Sequence, residues 1–348
     1  MELNQIFNDN TLASIQPAID KLNKLWDGLE ADSRNRGMLA PAKNPLIHNW
    51  AGYSFSLPIK ANGKLEVLFH LRSASETPGQ AKAELKKFAE HLGLKPGFEY
   101  GSRFSASAAP SAASGIDDRP GSSVFFEHAP SGTIAGYFKL RAGTIYQLSA
   151  GHVLAPRGNA AGPDPSRILF SAFHNSANSA DVALQQWTAP TPRAPLYSGV
   201  NVTTSDFDRN RFEQLLKVPP VKVVKMGVGT FPAKQEGALS GFAPRLLVDF
   251  EGQLSVSMAN QFLVSDKKTR FSGFGDSGAM ALIGDNERGY FPFGMLIARL
   301  DPSEGGREKK KDVFTVVTPF PAVLEAANHA ASKRAKKAGV PDHLRLLI

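Results

Sequence analysis

Apolar residues in the first hundred positions recur at helical spacing in two stretches and at strand spacing in two others. Leu12, Ile15, Ile19, Leu22, Leu25, Trp26 and Leu29 fall three and four apart, which predicts an amphipathic helix over 11–31. Tyr53 to Pro58 and Leu65 to Leu71 read as two strands, and the Asn62-Gly63 pair between them favours an antiparallel hairpin. Thr77-Pro78-Gly79-Gln80 offers a capping threonine, a proline in the first turn and a glutamine at the capping-box position. A second helix is therefore predicted through Ala81, Leu85, Phe88, Ala89 and Leu92, closed by Gly93. Together these elements predict a small α+β N-terminal domain over 1–104.

The pattern then breaks. Ser105 to Ser114 reads S-A-S-A-A-P-S-A-A-S, with nothing bulky to bury, and predicts a low-complexity linker over 105–117. Beyond it the apolar runs are short and end in glycine, proline or charge, the signature of a mainly β body. Tyr146 to Leu154 reads as a buried strand that runs into His152, and Asp181 opens another apolar strand through Leu184. Later strands are predicted at Val221–Met226, Leu246–Phe250, Asn260–Val264, Met280–Ile283, Phe293–Ile297 and Val313–Val317. Six such strands suffice for one small barrel. Leu196 to Leu216 fits no strand pattern and reads as a surface insertion.

Composition narrows the setting. The chain has 348 residues, 42% of them hydrophobic, so it can bury more than one core. It contains no cysteine, which points to a reducing compartment or to a core that needs no disulfide. The N-terminus lacks the basic region and apolar core of a signal peptide, and no apolar run reaches membrane-spanning length. A bacterial cytoplasm is the expected location, with no membrane partner. The net charge is +8, and residues 303–348 hold nine Lys or Arg against five Asp or Glu. Lys309-Lys310-Lys311 and the Lys333 to Lys337 cluster read as a solubilising loop and a basic C-terminal tail, 331–348. Nucleic acid is not the expected partner, because no aromatic residues interleave with these charges for base stacking.

The stretch Phe271 to Leu282, F-S-G-F-G-D-S-G-A-M-A-L, carries the candidate chemistry. Its glycine-flanked turn exposes one serine hydroxyl, Ser277, and lets the amides of Gly275 and Ser277 point into one small pocket, an oxyanion hole. A serine needs a base and a group that orients that base; His152 and Asp181 supply them in the chain order His, Asp, Ser. Taken singly, each motif has a plain structural reading: a common turn, a core histidine, a capping aspartate. The three occur together and in order. S-A-G-H, D-V-A-L and G-D-S-G-A resemble the T-A-A-H, D-I-A-L and G-D-S-G-G of the chymotrypsin/trypsin-like serine peptidases, in particular their Cys-free bacterial intracellular members.

That resemblance implies a peptidase body over 118–330, made of two six-stranded antiparallel barrels with a terminal helix from Thr318. It implies a serine endopeptidase that acts on a protein or peptide, with the product of a neighbouring gene the expected source. No metal or organic cofactor is implied. The N-terminal domain would select substrate or restrain activity. At the pocket, the residue six before the nucleophile is Phe271, where trypsin keeps an acid. Asp312, Ile297 and Arg299 are the other candidate substrate-binding residues, on or beside the strands that line the pocket in this family. Trypsin-like zymogens use the acid before the serine, here Asp276, to hold a freed N-terminus, but the chain has no Ile-Val-Gly-Gly after a basic residue. The alternative function is a catalytically silent scaffold of the same fold that binds protein or nucleic acid.

Overall fold

The computed structural model describes residues 2–36, 50–59, 64–72, 78–100, 103–106, 123–124, 132–139, 143–154, 168–172, 180–187, 200–225, 227, 234–250, 254–266, 271–273, 275–301, 313–338 and 345–347. The N-terminal elements are α1 (Asp9–Arg36), β1 (Trp50–Ser56), β2 (Glu66–Leu71), α2 (Pro78–His91), β3 (Lys95–Tyr100) and β4 (Arg103–Ala106). There follow β5 (Ser123–Val124), β6 (Gly132–Thr133), β7 (Gly136–Lys139), β8 (Ile145–Ala150), the single turn α3 (Gly151–Leu154), β9 (Ile168–Ala172) and β10 (Val182–Trp187). The C-terminal half holds α4 (Arg209–Leu216), β11 (Lys222–Lys225), β12 (Gln235–Phe250), β13 (Leu254–Asp266), β14 (Met280–Asp285), β15 (Gly289–Asp301), β16 (Val313–Pro319), α5 (Phe320–Ala338) and β17 (Arg345–Leu347). The molecule is mainly β, with its helices concentrated at the N-terminus and after β16.

All six strands expected after residue 220 are present, and their pairings run β11–β14–β15–β16–β13–β12 and return to β11. Six strands thus close on themselves and leave no free edge within the ring. The ring is filled by aromatics: Phe242, Phe262 and Phe293 meet, with the last two ring centroids 4.6 Å apart. Phe7, just before α1, and Phe212 of α4 pack into the same cluster.

The first half differs from the expected second closed barrel. Its described strands form a five-stranded sheet, β17–β7–β8–β10–β9, with β5 and β6 as a separate pair. One edge is supplied by the last residues of the chain, because Arg345 to Leu347 pair antiparallel with Tyr137 to Lys139. The expected basic tail therefore ends in a strand, preceded by a helix that continues to Ala338.

Both predicted N-terminal helices and the hairpin strands are found, while the Asn62-Gly63 turn lies outside the described residues. β3, which pattern reading did not find, pairs in parallel with β2 across α2, a βαβ unit. This unit shares the ring's sheet: Gly52, Tyr53, Phe55 and Ser56 of β1 pair with β12. The expected linker is also shorter than 105–117 at its start. Ser105 and Ala106 belong to β4, which lies between β12 and β15 with Phe104 and Ala106 buried. Alternation explains the difference, since a large apolar residue two before Ala106 gives an otherwise bland tract one buried face.

The expected surface insertion at 196–216 contains α4. Asp208 caps it by accepting from the Arg211 amide at 3.0 Å, and Phe212 and Leu216 are buried one turn apart. Glu213 on the same helix accepts the Asn8 amide at 2.8 Å, tying α4 to the start of α1.

Candidate active site

Strand register brings the histidine and the acid together. β8 and β10 are antiparallel with Val182 opposite Ala150, so the residue before Val182 lies beside the turn α3 that follows Ala150. Asp181 there accepts the His152 backbone amide through Oδ1 at 3.1 Å, and its Oδ2 meets His152 Nδ1 in a short hydrogen bond. An ionised carboxylate only accepts, so Nδ1 carries the proton and the neutral ring offers a lone pair at Nε2. Gly151 makes the approach possible, because a Cβ there would collide with Asp181 Oδ1. His152 and Asp181 are 2% and 0% exposed, and the enclosed His152 Nε2 has no hydrogen-bond partner among the described residues. The Phe250 ring, from the end of β12, stands edge-on to the imidazole at 5.6 Å.

Ser277 lies on the turn before β14. Gly275 and Gly278 have φ of 90° and 91°, a region open to glycine but strained for other residues. A Cβ on Gly278 would also collide with Ser149 Oγ and the Thr133 carbonyl. Thr133 joins this turn to the five-stranded half: its amide donates to the Ser277 carbonyl and its Oγ1 to the Gly275 carbonyl, both at 2.8 Å. Its own carbonyl accepts from Ser149 Oγ at 2.7 Å. The amides of Gly275 and Ser277 take no acceptor among the described residues. Ser277 is partly exposed, and its hydroxyl is not bonded to His152 Nε2. Such bonds often form or tighten only when substrate is present.

The turn's interior contains an ion pair that motif reading missed. Lys225 Nζ lies 2.6 Å from Asp276 Oδ2, and both side chains are buried. Alternation along β11 was the available signal, since Lys225 falls on the same face as the buried Val221 and Val223. Burial pushes the Lys225 ammonium below lysine's usual range, and the Asp276 charge and hydrogen bond work against that shift.

The candidate specificity residues are scattered. Phe271 is a core side chain, 1% exposed, with Lys225 Nζ 5.8 Å from its ring centroid; it has no surface to offer a substrate. Ile297 is likewise buried, because β15 turns that residue into the core. Arg299 is partly exposed between Ser105 of β4 and Thr315 of β16. Asp312 lies outside the described residues. Among the described residues no group of three His, Asp or Glu side chains is arranged to hold a metal ion, and no helix is long and apolar enough to cross a membrane.

A second histidine constellation occurs on the N-terminal sheet. His70 Nε2 is 3.0 Å from Ser54 Oγ, and its Nδ1 is 3.4 Å from Glu99 Oε2. Ser54, His70 and Glu99 sit on neighbouring strands β1, β2 and β3, and the His70 ring is edge-on to Phe104 and Phe314. His70 is fully buried.

Among solved structures, the chain is similar to the Nocardiopsis protease NAPase, at 14% identity and a TM-score of 0.37, over 67% of this chain and 100% of that one. No protein-family model matches the chain, and no curated protein matches it in sequence.

Proposed function

We propose that the protein is a serine endopeptidase that works through Ser277, His152 and Asp181. The observation that carries this reading is the buried His152–Asp181 pair, together with a turn, held by Thr133, whose serine is partly exposed and whose Gly275 and Ser277 amides have no acceptor among the described residues. In the reaction, Ser277 Oγ attacks the scissile carbonyl while His152 Nε2 takes its proton. The C–N bond breaks as that proton passes to the leaving amine, and water then releases the acyl group by the same relay. Asp181 holds the ring with Nδ1 protonated and stabilises the imidazolium. The amides of Gly275 and Ser277 receive the oxyanion, each donor worth roughly 3–4 kcal/mol in comparable sites. No step calls for a cofactor.

The N-terminal unit selects substrate or restrains activity in this reading, and its pairing with β12 supports a direct mechanical link to the site, because β12 ends at Phe250 against His152. A silent scaffold is the competing reading, favoured by the absent Ser277–His152 bond.

Incubation of the full chain with an unbiased peptide library separates the two. Cleavage products are expected from the native chain, and Ser277→Ala should lower kcat on the order of a millionfold with an unchanged melting temperature. Equal cleavage by both proteins, or by neither, removes the proposal.

A further inference from the structure

We propose that the N-terminal unit carries a peptide-binding groove, between α1 and the turn that joins α2 to β3, which takes a short segment of the polypeptide substrate bearing a carboxylate beside an apolar side chain. This rests on the peptidase reading above and names what the N-terminal unit selects.

A cleft of about 390 Å3 opens there. Ordinary ligand clefts run to roughly 300–1,000 Å3. Ser14, Ala18 and Lys21 line up along its helical wall, because residues three and four apart share one face of a helix. From Ser14 to Lys21 that wall is about 10 Å long, the reach of about three residues of extended chain. Opposite stand Ile59, Leu65 and Leu92, three apolar side chains that are only partly buried. At Gly93, on the same side, an added Cβ would meet nothing within 4 Å, so the cleft is open there and a chain can enter and leave.

Charge selects the occupant. Lys21 and Lys64 both line the cleft and are exposed, and neither has an acidic partner among the described residues. The acids of the surrounding elements are engaged elsewhere. Glu66 holds Lys95 at 2.8 Å, and Glu90 lies 3.8 Å from Lys86. On α1, Asp20 accepts from Gln16 at 2.7 Å and Asp27 lies 3.2 Å from Arg245. At 100° per residue these two acids fall about a third of a turn round the helix from the cleft wall. A wholly apolar segment would leave both ammonium groups unanswered, and a polyanion would leave the apolar side uncovered. A carboxylate next to an apolar side chain uses both.

The test uses the full-length chain and two peptides. One is a short peptide that the chain cleaves. The other adds, through about twenty Gly and Ser residues with a reach on the order of 25 Å, a segment of two aspartates flanking a leucine. The extended peptide should show a KM about tenfold lower at equal kcat, because the tethered contact raises the effective concentration at the site. Lys21→Glu with Lys64→Glu should abolish that gain, with an unchanged melting temperature and unchanged kinetics on the short peptide. Reversing one lysine alone should lose about fivefold at most, the worth of one exposed charge pair, and arginine at both positions should keep the gain. An extended peptide cleaved no better than the short one, a gain that survives the double reversal, or an equal gain when the aspartates are replaced by asparagines would overturn the inference and leave the peptidase reading standing. A dimer in sedimentation that the double reversal dissociates would give the groove to a second copy and overturn it too. A chain that cleaves neither peptide and never labels at Ser277 removes the peptidase reading itself, and this inference with it.

Discussion

Two serine–histidine–carboxylate groupings occur among the described residues, and by distance alone the one on the N-terminal sheet is the more complete. Ser54 already touches His70 Nε2 at 3.0 Å, whereas His152 Nε2 has no partner among the described residues. The surroundings reverse that ranking. Ser54 is mid-strand, paired with Leu68 of β2 and lying at the register shift between Tyr53 and Phe55 on the β12 side, and it is 3% exposed. A paired strand offers no glycine turn that would aim two neighbouring amides at one oxyanion. Ser277 instead sits on a turn with positive-φ glycines on both sides, partly exposed, beside two amides that have no acceptor among the described residues. His70 Nδ1 lies within ion-pair reach of Glu99 but without hydrogen-bond geometry, while Asp181 grips both the ring and the backbone of His152. A nucleophile and base in contact are therefore not sufficient; the turn geometry that frees backbone donors and admits a carbonyl makes the difference.

Removing the acid's charge from each site should break the symmetry most sharply. Asp181→Asn keeps the shape but favours the wrong tautomer of His152, and kcat is expected to fall about ten thousandfold. Glu99→Gln should leave kcat unchanged. Steady-state turnover of a cleaved library peptide by both variants checks this, and a comparable loss in both would assign His70 a part in the chemistry.

A smaller effect is expected where the turn is clamped. Thr133→Val removes the Oγ1 bond to the Gly275 carbonyl but spares the amide bond to Ser277. One neutral buried hydrogen bond is worth about 0.5–1.5 kcal/mol net, so kcat should drop by at most about tenfold. Ser54→Ala loses a hydrogen bond of the same class and should cost stability of the same order, visible in chemical denaturation, with kcat untouched. If Thr133→Val alters only stability, the clamp does not position the turn.

Sequence pattern gave access to whatever is local. The helix at Leu12–Leu29, the six ring strands and the three motifs each depend on residues close together in the chain, and each is present in the structure. The pairing of β1 with β12 was not legible, because it joins residues roughly two hundred apart and depends on register rather than on hydrophobicity. The Lys225–Asp276 pair had the same problem, since it joins β11 to the turn before β14. In α4 the polar start Arg209-Asn210-Arg211 hid the helix, although Asp208 followed by Phe212 and Leu216 was a usable signal. The two-barrel expectation was half realised. Closure of the first half could not be inferred from strand counts, since one of its edges comes from Arg345–Leu347.

The most direct test of the central claim is to treat the full-length chain with a fluorophosphonate and locate the adduct by peptide mass mapping. One adduct on Ser277 is expected, absent after His152→Ala and unaffected by His70→Ala, with Ser54 unmodified throughout. An adduct on Ser54, or no adduct on Ser277 in protein that is folded by its melting transition, would contradict the account.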